Sequence, residues 1–255
     1  MRGEVLPIIT DKNKILVALP VFNESDAHTI IQGVKKFSLD ILVIDDGSTD
    51  GIDKWLPHDA NVQTIIHPEN LGYGKTIIDA FTFAVDKAYN YLLTIDGDGQ
   101  HKPEEIPLFL KEIPFDDCDI VSGSRYLLPT EMDDEAPLER YLINKEVTGI
   151  LNRITGFQLT DSFCGFKAYK VETLRKVHLT EPGYGMPLQF WIQAWKAGLR
   201  VKEIPVKLIY KDLTKRFKGN LENPDRRLQY YKKIIMSEMG VLKGQYNNNN
   251  FEITD

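Results

Sequence analysis

The chain has 255 residues, a formal net charge of −6, 42% hydrophobic residues and two cysteines. This length suits one large α/β domain or two small ones, either with a sizeable core. The acidic balance argues against a general nucleic-acid binder, because proteins that hold the phosphate backbone normally carry a basic surface. Cys118 and Cys164 are too few for a disulfide framework or a zinc cluster, so we expect buried thiols in a reducing compartment.

Membrane and secretion signals are absent from the sequence pattern. No apolar stretch reaches the roughly 18 to 20 residues that span a bilayer, and residues 1–13 lack the apolar region of a secretion signal. We therefore expect a cytoplasmic protein that is peripheral at the membrane face at most. Residues 1–13 read as an N-terminal extension, and residues 245–255, which contain four consecutive asparagines at 247–250, read as a disordered tail.

Strand and helix patterns alternate through the first half of the chain, which predicts a mostly parallel central sheet flanked by helices. Buried apolar runs predict strands at 14–19 (ended by Pro20), 41–44, 62–66, 91–95 and 119–123. Helical spacing of apolar residues predicts helices at 26–37, 75–88 and 103–113.

Carboxylates follow two of these strands, Asp45 and Asp46 on one, Asp96 and Asp98 on another. Open α/β sheets bind ligands at the carboxyl ends of their strands. Asp96, Asp98 and Gln100 offer three oxygen ligands on one turn, which suits Mg²⁺ or Mn²⁺ carrying a phosphorylated substrate. Asp45 and Asp46 can hydrogen-bond a base or ribose. The pattern therefore favours a nucleotide site with a divalent cation.

Other interpretations of these turns find less support. A calcium hand starting at Asp96 would need Gly and Glu where the chain has His101 and Pro107, and one starting at Asp46 meets Pro57 at its twelfth position. A plain solvated turn, with His101 on the surface, remains an alternative. Neither GxxxxGK[ST] nor GxGxxG after the first strand is present, so ATPases and dinucleotide oxidoreductases lose most of their support.

Six motifs in order resemble those of family 2 inverting glycosyltransferases: LPVFNE at 19–24, IDDGSTDG at 44–51, NLGYGKT at 70–76, DGDGQH at 96–101, SGSRY at 122–126 and DSFCGFKAY at 161–169. The resemblance covers about 15–205 and looks closest to the dolichyl- and polyprenyl-phosphate sugar transferases, the dolichol-phosphate mannosyltransferase-like branch. It implies a GT-A type α/β fold in a domain over 14–210, with a nucleotide-binding half at about 14–125 and an acceptor half at about 126–210.

The resemblance also implies roles for matching positions. The nucleotide would be held by Pro20, Phe22, Asn23, Glu24, Asp45, Asp46 and Asp96, and the metal with the diphosphate by Asp96, Asp98 and Gln100. Arg125 would meet an acceptor or donor phosphate, a role that suits the planar guanidinium group, and Asp161 would lie near the acceptor as a catalytic residue. The alternative for Asp161 is a helix or turn cap.

The sequence departs from the family pattern at two places. Cys164 replaces the serine of the family's DxxSGF stretch. Family members often carry an acid in the segment that here reads GYGMPLQFW (183–191), but this chain has Gln189, which cannot act as a base. No QxxRW string follows, so a processive polysaccharide synthase is not expected.

Residues 211–244 form a basic, amphipathic C-terminal segment. Arg216 and its basic neighbours could meet an anionic lipid surface or an acceptor phosphate. The alternative is a helix that packs back on the domain. The apolar residues that fall on one helical face are Leu228, Tyr231, Ile235 and Met239.

The resulting hypothesis is a metal-dependent transferase that moves a sugar from a GDP- or UDP-sugar to a polyprenyl phosphate with inversion, at a membrane surface or with a membrane partner protein. A glycan hydroxyl is the alternative acceptor and would need a base, for which Asp161 is the candidate. A non-catalytic nucleotide-sugar-binding subunit is a further alternative. A sugar nucleotidyltransferase would require a Gly-rich signature near the first strand, and none is found.

Overall fold

A computed structural model describes residues 14–24, 26–52, 59–113, 117–128, 134, 136–209 and 219–240. The predicted N-terminal extension, Arg216 and the predicted tail lie outside the described residues.

One seven-stranded sheet organises the described residues, with strand order β3-β2-β1-β4-β6-β5-β7. All neighbouring strands are parallel except where β6 pairs antiparallel with β4 and β5. The mostly parallel sheet predicted from the sequence is therefore confirmed. The strands are β1 Ile15–Val21, β2 Asp40–Asp45, β3 Val62–Ile66, β4 Tyr91–Thr94, β5 Ile120–Ser124, β6 Lys167–Lys170 and β7 Val201–Pro205.

Helices cover both faces of this sheet. They are α1 Ala27–Lys35, α2 Tyr73–Asp86, α3 Ile106–Glu112, α4 Leu138–Thr155, α5 Val171–Leu174, α6 Met186–Lys196 and α7 Pro224–Glu238. A 3-10 turn over Pro103–Glu105 precedes α3, where the sequence predicted a continuous helix.

The core consists of two apolar clusters on opposite faces of the sheet. Because successive strand residues point to opposite faces, Leu16 and Ala18 of β1 join one cluster while Ile15, Val17 and Leu19 join the other. Helices α2, α4, α6 and α7 contribute to the first cluster, and α1 and α3 to the second. Burial on both faces is the reason that the strands read as continuous apolar runs.

Strand β1 does not end at Pro20, as the sequence pattern predicted, but continues to Val21. A proline in a strand removes one ladder hydrogen bond. Here the loss falls beyond β4, which ends at Thr94, and the Pro20 carbonyl accepts from the Gly97 N–H in the following loop (3.3 Å). Pro20 is therefore tolerated inside a central strand.

The strand order reverses between β1 and β4, because β2 and β3 lie on one side of β1 and β4 on the other. In open α/β sheets the crevice at such a switch point, outside the carboxyl ends of the strands, binds ligands. The loops that begin at Phe22, Asp46 and Ile95 all leave the sheet at this edge. The fold thus brings together three motifs that are distant in sequence.

The C-terminal helix α7 packs against α4 and α6. Tyr231 and Ile235 are buried, and Leu228 and Met239 pack against the same core cluster. The helix therefore packs back on the domain, as the alternative interpretation of the amphipathic C-terminal segment predicted. Among the described residues, none belongs to a helix with the length and apolar character needed to cross a membrane.

Candidate active site

A cavity of about 840 Å³ opens at the switch point of the sheet. Its walls include most of the residues predicted from the sequence. These are Pro20, Phe22, Asn23, Glu24, Asp46, Asp96, Asp98, Gln100 and Arg125.

Two loops that the sequence analysis predicted to bind a nucleotide are tied together by short polar contacts. Asn23 adopts a left-handed backbone conformation (φ 52°), which asparagine tolerates better than most residues. Its side-chain oxygen accepts from the Thr49 N–H (2.8 Å), and its own N–H donates to Ser48 Oγ (2.9 Å). Asp45 is buried and accepts from the Ser48 N–H (2.9 Å). Asp45 thus orders this loop from behind the cavity wall.

Asp46 is a buried member of the wall and organises the loop before α2. Its two carboxylate oxygens accept from the N–H groups of Leu71 (2.8 Å) and Gly72 (2.9 Å). His67 lies between Asp46 and Asp79, with its ring nitrogens 2.7 and 2.8 Å from their oxygens. The sequence analysis did not single out His67, because a histidine at the end of an edge strand carries no motif of its own.

The loop after β4 presents Asp96, Asp98 and Gln100 to the cavity. Asp98 accepts from the Gln100 N–H (2.9 Å), which closes a tight turn. The hydroxyl of Tyr73, the first residue of α2, donates to Asp96 (3.2 Å). Burial raises the pKa of Asp96 to about 7, and the negative charge of Asp98 adds to that effect. Two carboxylates held in this way are stabilised by a cation.

The donor set fits a divalent metal that is shared with a substrate. Among the described residues there is no group of three or more His, Cys, Asp or Glu side chains arranged around one point. Mg²⁺ is commonly held by one or two carboxylates, with substrate phosphates and water completing its shell. Asp96 and Asp98, with the Gln100 amide, match that pattern better than they match a closed protein site.

Gly165 makes room for the Asp96 carboxylate. A Cβ atom at this position would overlap the side chain of Asp96. Gly165 follows Cys164 in the DSFCGFKAY motif, so this motif lies directly behind the predicted metal loop. A glycine is required here by the close approach of a side chain, not by its backbone angle.

Arg125 forms a two-point ion pair with Asp161. Its Nε and Nη2 donate to the two carboxylate oxygens at 2.6 and 3.0 Å, and its backbone N–H donates to the same group (3.2 Å). Asp161 is fully buried, whereas the Arg125 side chain is 12% exposed and lines the cavity. Among the described residues, no acceptor bonds to Arg125 Nη1. This end of the guanidinium group can therefore bind an anion.

The Asp161 carboxylate is saturated with donors. Besides Arg125, it accepts from the Asn144 side chain (2.7 Å) and from the N–H groups of Phe163 and Cys164 (both 3.1 Å). Burial alone would raise the pKa of Asp161, but the charge and hydrogen bonds of Arg125 hold it well below its usual range. A carboxylate with so low a pKa is a weak base. Asp161 is absent from the cavity wall that its neighbours Arg125 and Asn144 form.

Two further arginines, which the sequence analysis did not assign, line the same cavity as Arg125. Arg140 lies in the first turn of α4, and the largely buried Arg227 lies in the first turn of α7. Arg227 pairs with Glu139 and donates to the Leu221 carbonyl (2.8 Å). No sequence motif predicted that these two helices begin at the same cavity.

Buried ionisable groups lie behind the metal loop. His101 is buried, which contradicts the alternative that placed it on the surface, and burial lowers its pKa to about 3. Burial raises the pKa of the Cys164 thiol to about 12, and both cysteines are buried, as expected. Lys167 donates to the Cys164 carbonyl, and its nitrogen lies 5.4 Å from the centre of the Trp191 ring.

A mostly parallel sheet with an acidic loop at its switch point, in one cavity with arginines, suits an enzyme of the α/β class that binds a phosphorylated substrate. Residues 16–177 match the family described as Glycosyl transferase family 2. The chain belongs to this family and is a glycosyltransferase, as the sequence motifs indicated.

Relatives in this family include enzymes named for lipid-phosphate acceptors. The chain is 28% identical over 210 residues to an undecaprenyl-phosphate mannosyltransferase of Micrococcus luteus, covering 78% of this chain and 85% of the relative. It is 27% identical over 222 residues to a polyprenol monophosphomannose synthase of Mycolicibacterium smegmatis, covering 83% of each.

The fold is also that of a solved glycosyltransferase. The structure of glucosyl-3-phosphoglycerate synthase from Mycobacterium tuberculosis, in complex with Mn²⁺, UDP-glucose and phosphoglyceric acid, superimposes with a TM-score of 0.65 at 16% identity. The match covers 91% of this chain and 82% of that one. At this identity the likeness establishes the GT-A fold.

Proposed function

We propose that this enzyme transfers a sugar, with inversion, from a GDP- or UDP-sugar to the phosphate of a polyprenyl phosphate, in a reaction that depends on Mg²⁺ or Mn²⁺. The observation that carries the proposal is that one cavity is lined by two sets of charged side chains. Asp46, Asp96 and Asp98, on the loops after β2 and β4, form what we call its acidic end. Arg125, Arg140 and Arg227 form what we call its basic end: Arg140 lies in α4, and the other two arginines pair with Asp161 and Glu139, which contact or belong to α4.

The acidic end is suited to the donor. Asp96, Asp98 and Gln100 would hold the metal, which supplies positive charge to the departing nucleoside diphosphate. The loops that carry Asn23 and Asp46 offer polar groups to the base and ribose, and their hydrogen bonds to neighbouring loops keep them in place before binding. Preorganised walls of this kind reduce the cost of ordering the donor.

The basic end is suited to an anionic acceptor. Nη1 of Arg125 faces no protein acceptor among the described residues, and a guanidinium group binds phosphate oxygens with two parallel hydrogen bonds. A phosphate oxygen already carries negative charge near neutral pH, so it can attack the anomeric carbon without a base. Attack from the side opposite the diphosphate inverts the anomeric centre.

Asp161 is assigned a positioning role in this scheme. Six hydrogen-bond donors leave the Asp161 carboxylate poorly suited to remove a proton, whereas its two-point contact orients Arg125 towards the cavity. This geometry also disfavours the alternative acceptor, a sugar hydroxyl, because such an acceptor needs a base and Asp161 was the candidate for it. The names of the mannosyltransferase relatives support the lipid-phosphate acceptor independently.

The proposal places the enzyme at a membrane surface, because a long-chain polyprenyl phosphate resides in the bilayer. Peripheral contact with the membrane follows from the proposed acceptor and not from an anchor in the described residues; the cytoplasmic face is the one that the sequence analysis predicted. Arg216 is predicted to add positive charge near that surface, and it lies outside the described residues. Sedimentation with vesicles that contain polyprenyl phosphate would measure this contact.

The test is an acceptor comparison with Mn²⁺ and a panel of GDP- and UDP-sugars. The parent enzyme should transfer sugar to a short, water-soluble prenyl phosphate and not to a free sugar. Arg140→Gln should reduce transfer at least 10-fold, while nucleoside-diphosphate affinity stays within about 2-fold. Arg200→Gln is the matched control, because Arg200 is a half-exposed arginine in an ion pair beside the same sheet. Transfer to the free sugar alone would refute the lipid-phosphate acceptor.

A further inference from the structure

Tyr184 presents an aromatic ring to the cavity. Tyr184 lines the cavity and is 47% exposed. The other large hydrophobic side chains that are exposed among the described residues are all aliphatic. Cavities that bind small ligands are lined mainly by hydrophobic and aromatic side chains, so an exposed ring in the wall of this cavity is a candidate ligand contact. Tyr184 lies in the GYGMPLQFW segment, to which the reaction proposed above assigns no role.

The backbone that carries Tyr184 is held firmly from the α7 side. The Gly185 N–H donates to the Tyr230 hydroxyl (3.1 Å), which itself donates to Glu181. A Cβ atom at Gly185 would lie 2.8 Å from that hydroxyl oxygen, and one at Gly183 would lie 3.1 Å from it. Both glycines therefore allow α7 to approach the segment closely.

The same segment is held from the α2 side. The Pro182 carbonyl accepts from the Lys75 N–H (3.0 Å). Gly72, with φ of 102°, allows the backbone to pass close to that carbonyl, which a Cβ atom would overlap. An exposed side chain on a backbone held from both sides is a preorganised contact surface, because little order is lost when a ligand binds to it.

The Tyr184 ring is also placed relative to the metal loop. It stacks with the Tyr73 ring at a centroid distance of 6.1 Å and an interplanar angle of 12°. Tyr73 in turn donates its hydroxyl hydrogen to Asp96 (3.2 Å). Partial burial raises the pKa of Tyr184, and the negative charges of Asp96 and Glu24 raise it further, so both acids lie near the ring.

We propose that Tyr184, supported by Tyr73, is the platform on which the pyranose ring of the nucleotide-sugar donor packs. The inference rests on the proposed donor class. In such a donor the sugar is bonded to the phosphate that the metal would hold. Tyr184 stacks on Tyr73, and Tyr73 contacts Asp96 of the predicted metal loop, so the Tyr184 ring would meet the sugar and not the base. The C–H face of a pyranose is apolar and matches the electron-rich face of an aromatic ring.

Tyr184→Ala and Tyr184→Phe test the platform against the parent enzyme. The assays measure the KM of GDP-mannose or UDP-N-acetylglucosamine, whichever the parent turns over, and the inhibition constant of the matching free GDP or UDP with Mn²⁺. Tyr184→Ala should raise the KM by about 3- to 10-fold, the range expected for loss of one aromatic contact, and leave the inhibition constant within about 2-fold. Tyr184→Phe keeps the ring and should resemble the parent. Leu108→Ala, at an exposed leucine of α3 outside the cavity, is the control.

The results of these assays distinguish a sugar platform from a nucleotide contact and from a contact made by the Tyr184 hydroxyl. An equal loss of affinity for the free diphosphate would place Tyr184 against the nucleotide and overturn the platform, as would an unchanged KM in Tyr184→Ala. A Tyr184→Phe enzyme as weak as Tyr184→Ala would show that the hydroxyl, not the ring face, is the contact. A parent that turns over no nucleotide sugar would instead refute the proposed function, whatever the variants do.

Discussion

Asp161→Asn should destabilise the protein far more than a surface substitution of the same kind. In the folded chain the carboxylate is fully buried and bonds to Arg125 through Nε (2.6 Å) and Nη2 (3.0 Å). An asparagine of the same shape offers one oxygen and one NH₂ group. The substitution therefore leaves the guanidinium charge of Arg125, whose side chain is only 12% exposed, without a counter-charge. It also places the asparagine NH₂ group next to an N–H group of Arg125, so that two donors face each other.

Breaking a buried ion pair by removing one partner typically costs about 3–5 kcal/mol. For a domain of this size each kcal/mol lowers Tm by about 2–4 °C, so the expected decrease is roughly 6–20 °C. The matched control is Asp119→Asn. Asp119 makes a similar two-point contact with Arg200, at 3.1 and 2.9 Å, but Arg200 is 50% exposed. The Asp119 side chain is 13% exposed, but water can solvate the half-exposed Arg200 once its partner is removed, so the control should lose less stability than Asp161→Asn.

The pH dependence gives a second, independent check. The folded-state pKa of Asp161 is held below the usual value by Arg125, so the carboxylate stabilises the protein above about pH 4, and this contribution is lost as the pH falls through the lower pKa. The difference between parent and Asp161→Asn, measured by urea unfolding, should therefore shrink on acidification below about pH 4. The reasoning is refuted if Asp161→Asn costs no more than Asp119→Asn, or if the difference grows in acid.

Three further substitutions probe the acidic end of the cavity. Asp98→Asn keeps an oxygen that can accept from the Gln100 N–H but removes the negative charge. Mn²⁺ and a nucleoside diphosphate added together should therefore no longer raise Tm, while the Tm of the protein without ligands should change by less than about 2 °C. Gly165→Ala should displace Asp96 and remove most activity. The control is Gly149→Ala on α4, where an added Cβ would make only an ordinary contact with Arg153 (3.8 Å); it should retain activity and stabilise the protein by about 0.5–1 kcal/mol. Equal activity of the two variants would contradict the packing argument. Asp46→Asn should raise the KM of the donor more than it lowers kcat, and it should lower the free energy of unfolding by about 1–3 kcal/mol because one of the two backbone N–H groups loses its acceptor. An unchanged donor affinity would show that Asp46 is not part of the nucleotide site.

Local sequence patterns predicted the first half of the fold well because the elements there are made of continuous buried runs. The strand at 62–66 matches β3 residue for residue, β2 extends one residue beyond its predicted range at each end, and β4 ends one residue before its predicted end. The second half gave weaker signals. Strand β6 has only four residues, two of them lysines, and its burial and antiparallel direction come from its neighbours β4 and β5.

The motifs by themselves determined the family and the composition of the acidic end, because a turn such as DGDGQH places its oxygen ligands within a few residues. Which groups meet across the cavity was decided by the tertiary structure. Arg125 and Asp161 are 36 residues apart, and their ion pair depends on the packing of β5 against the turn before β6. Arg227 reaches the same cavity only because α7 packs on α4. A short motif records the chemistry of its own side chains, whereas the burial that turns Asp161 from a candidate base into a fixed counter-charge arises from contacts far away along the chain.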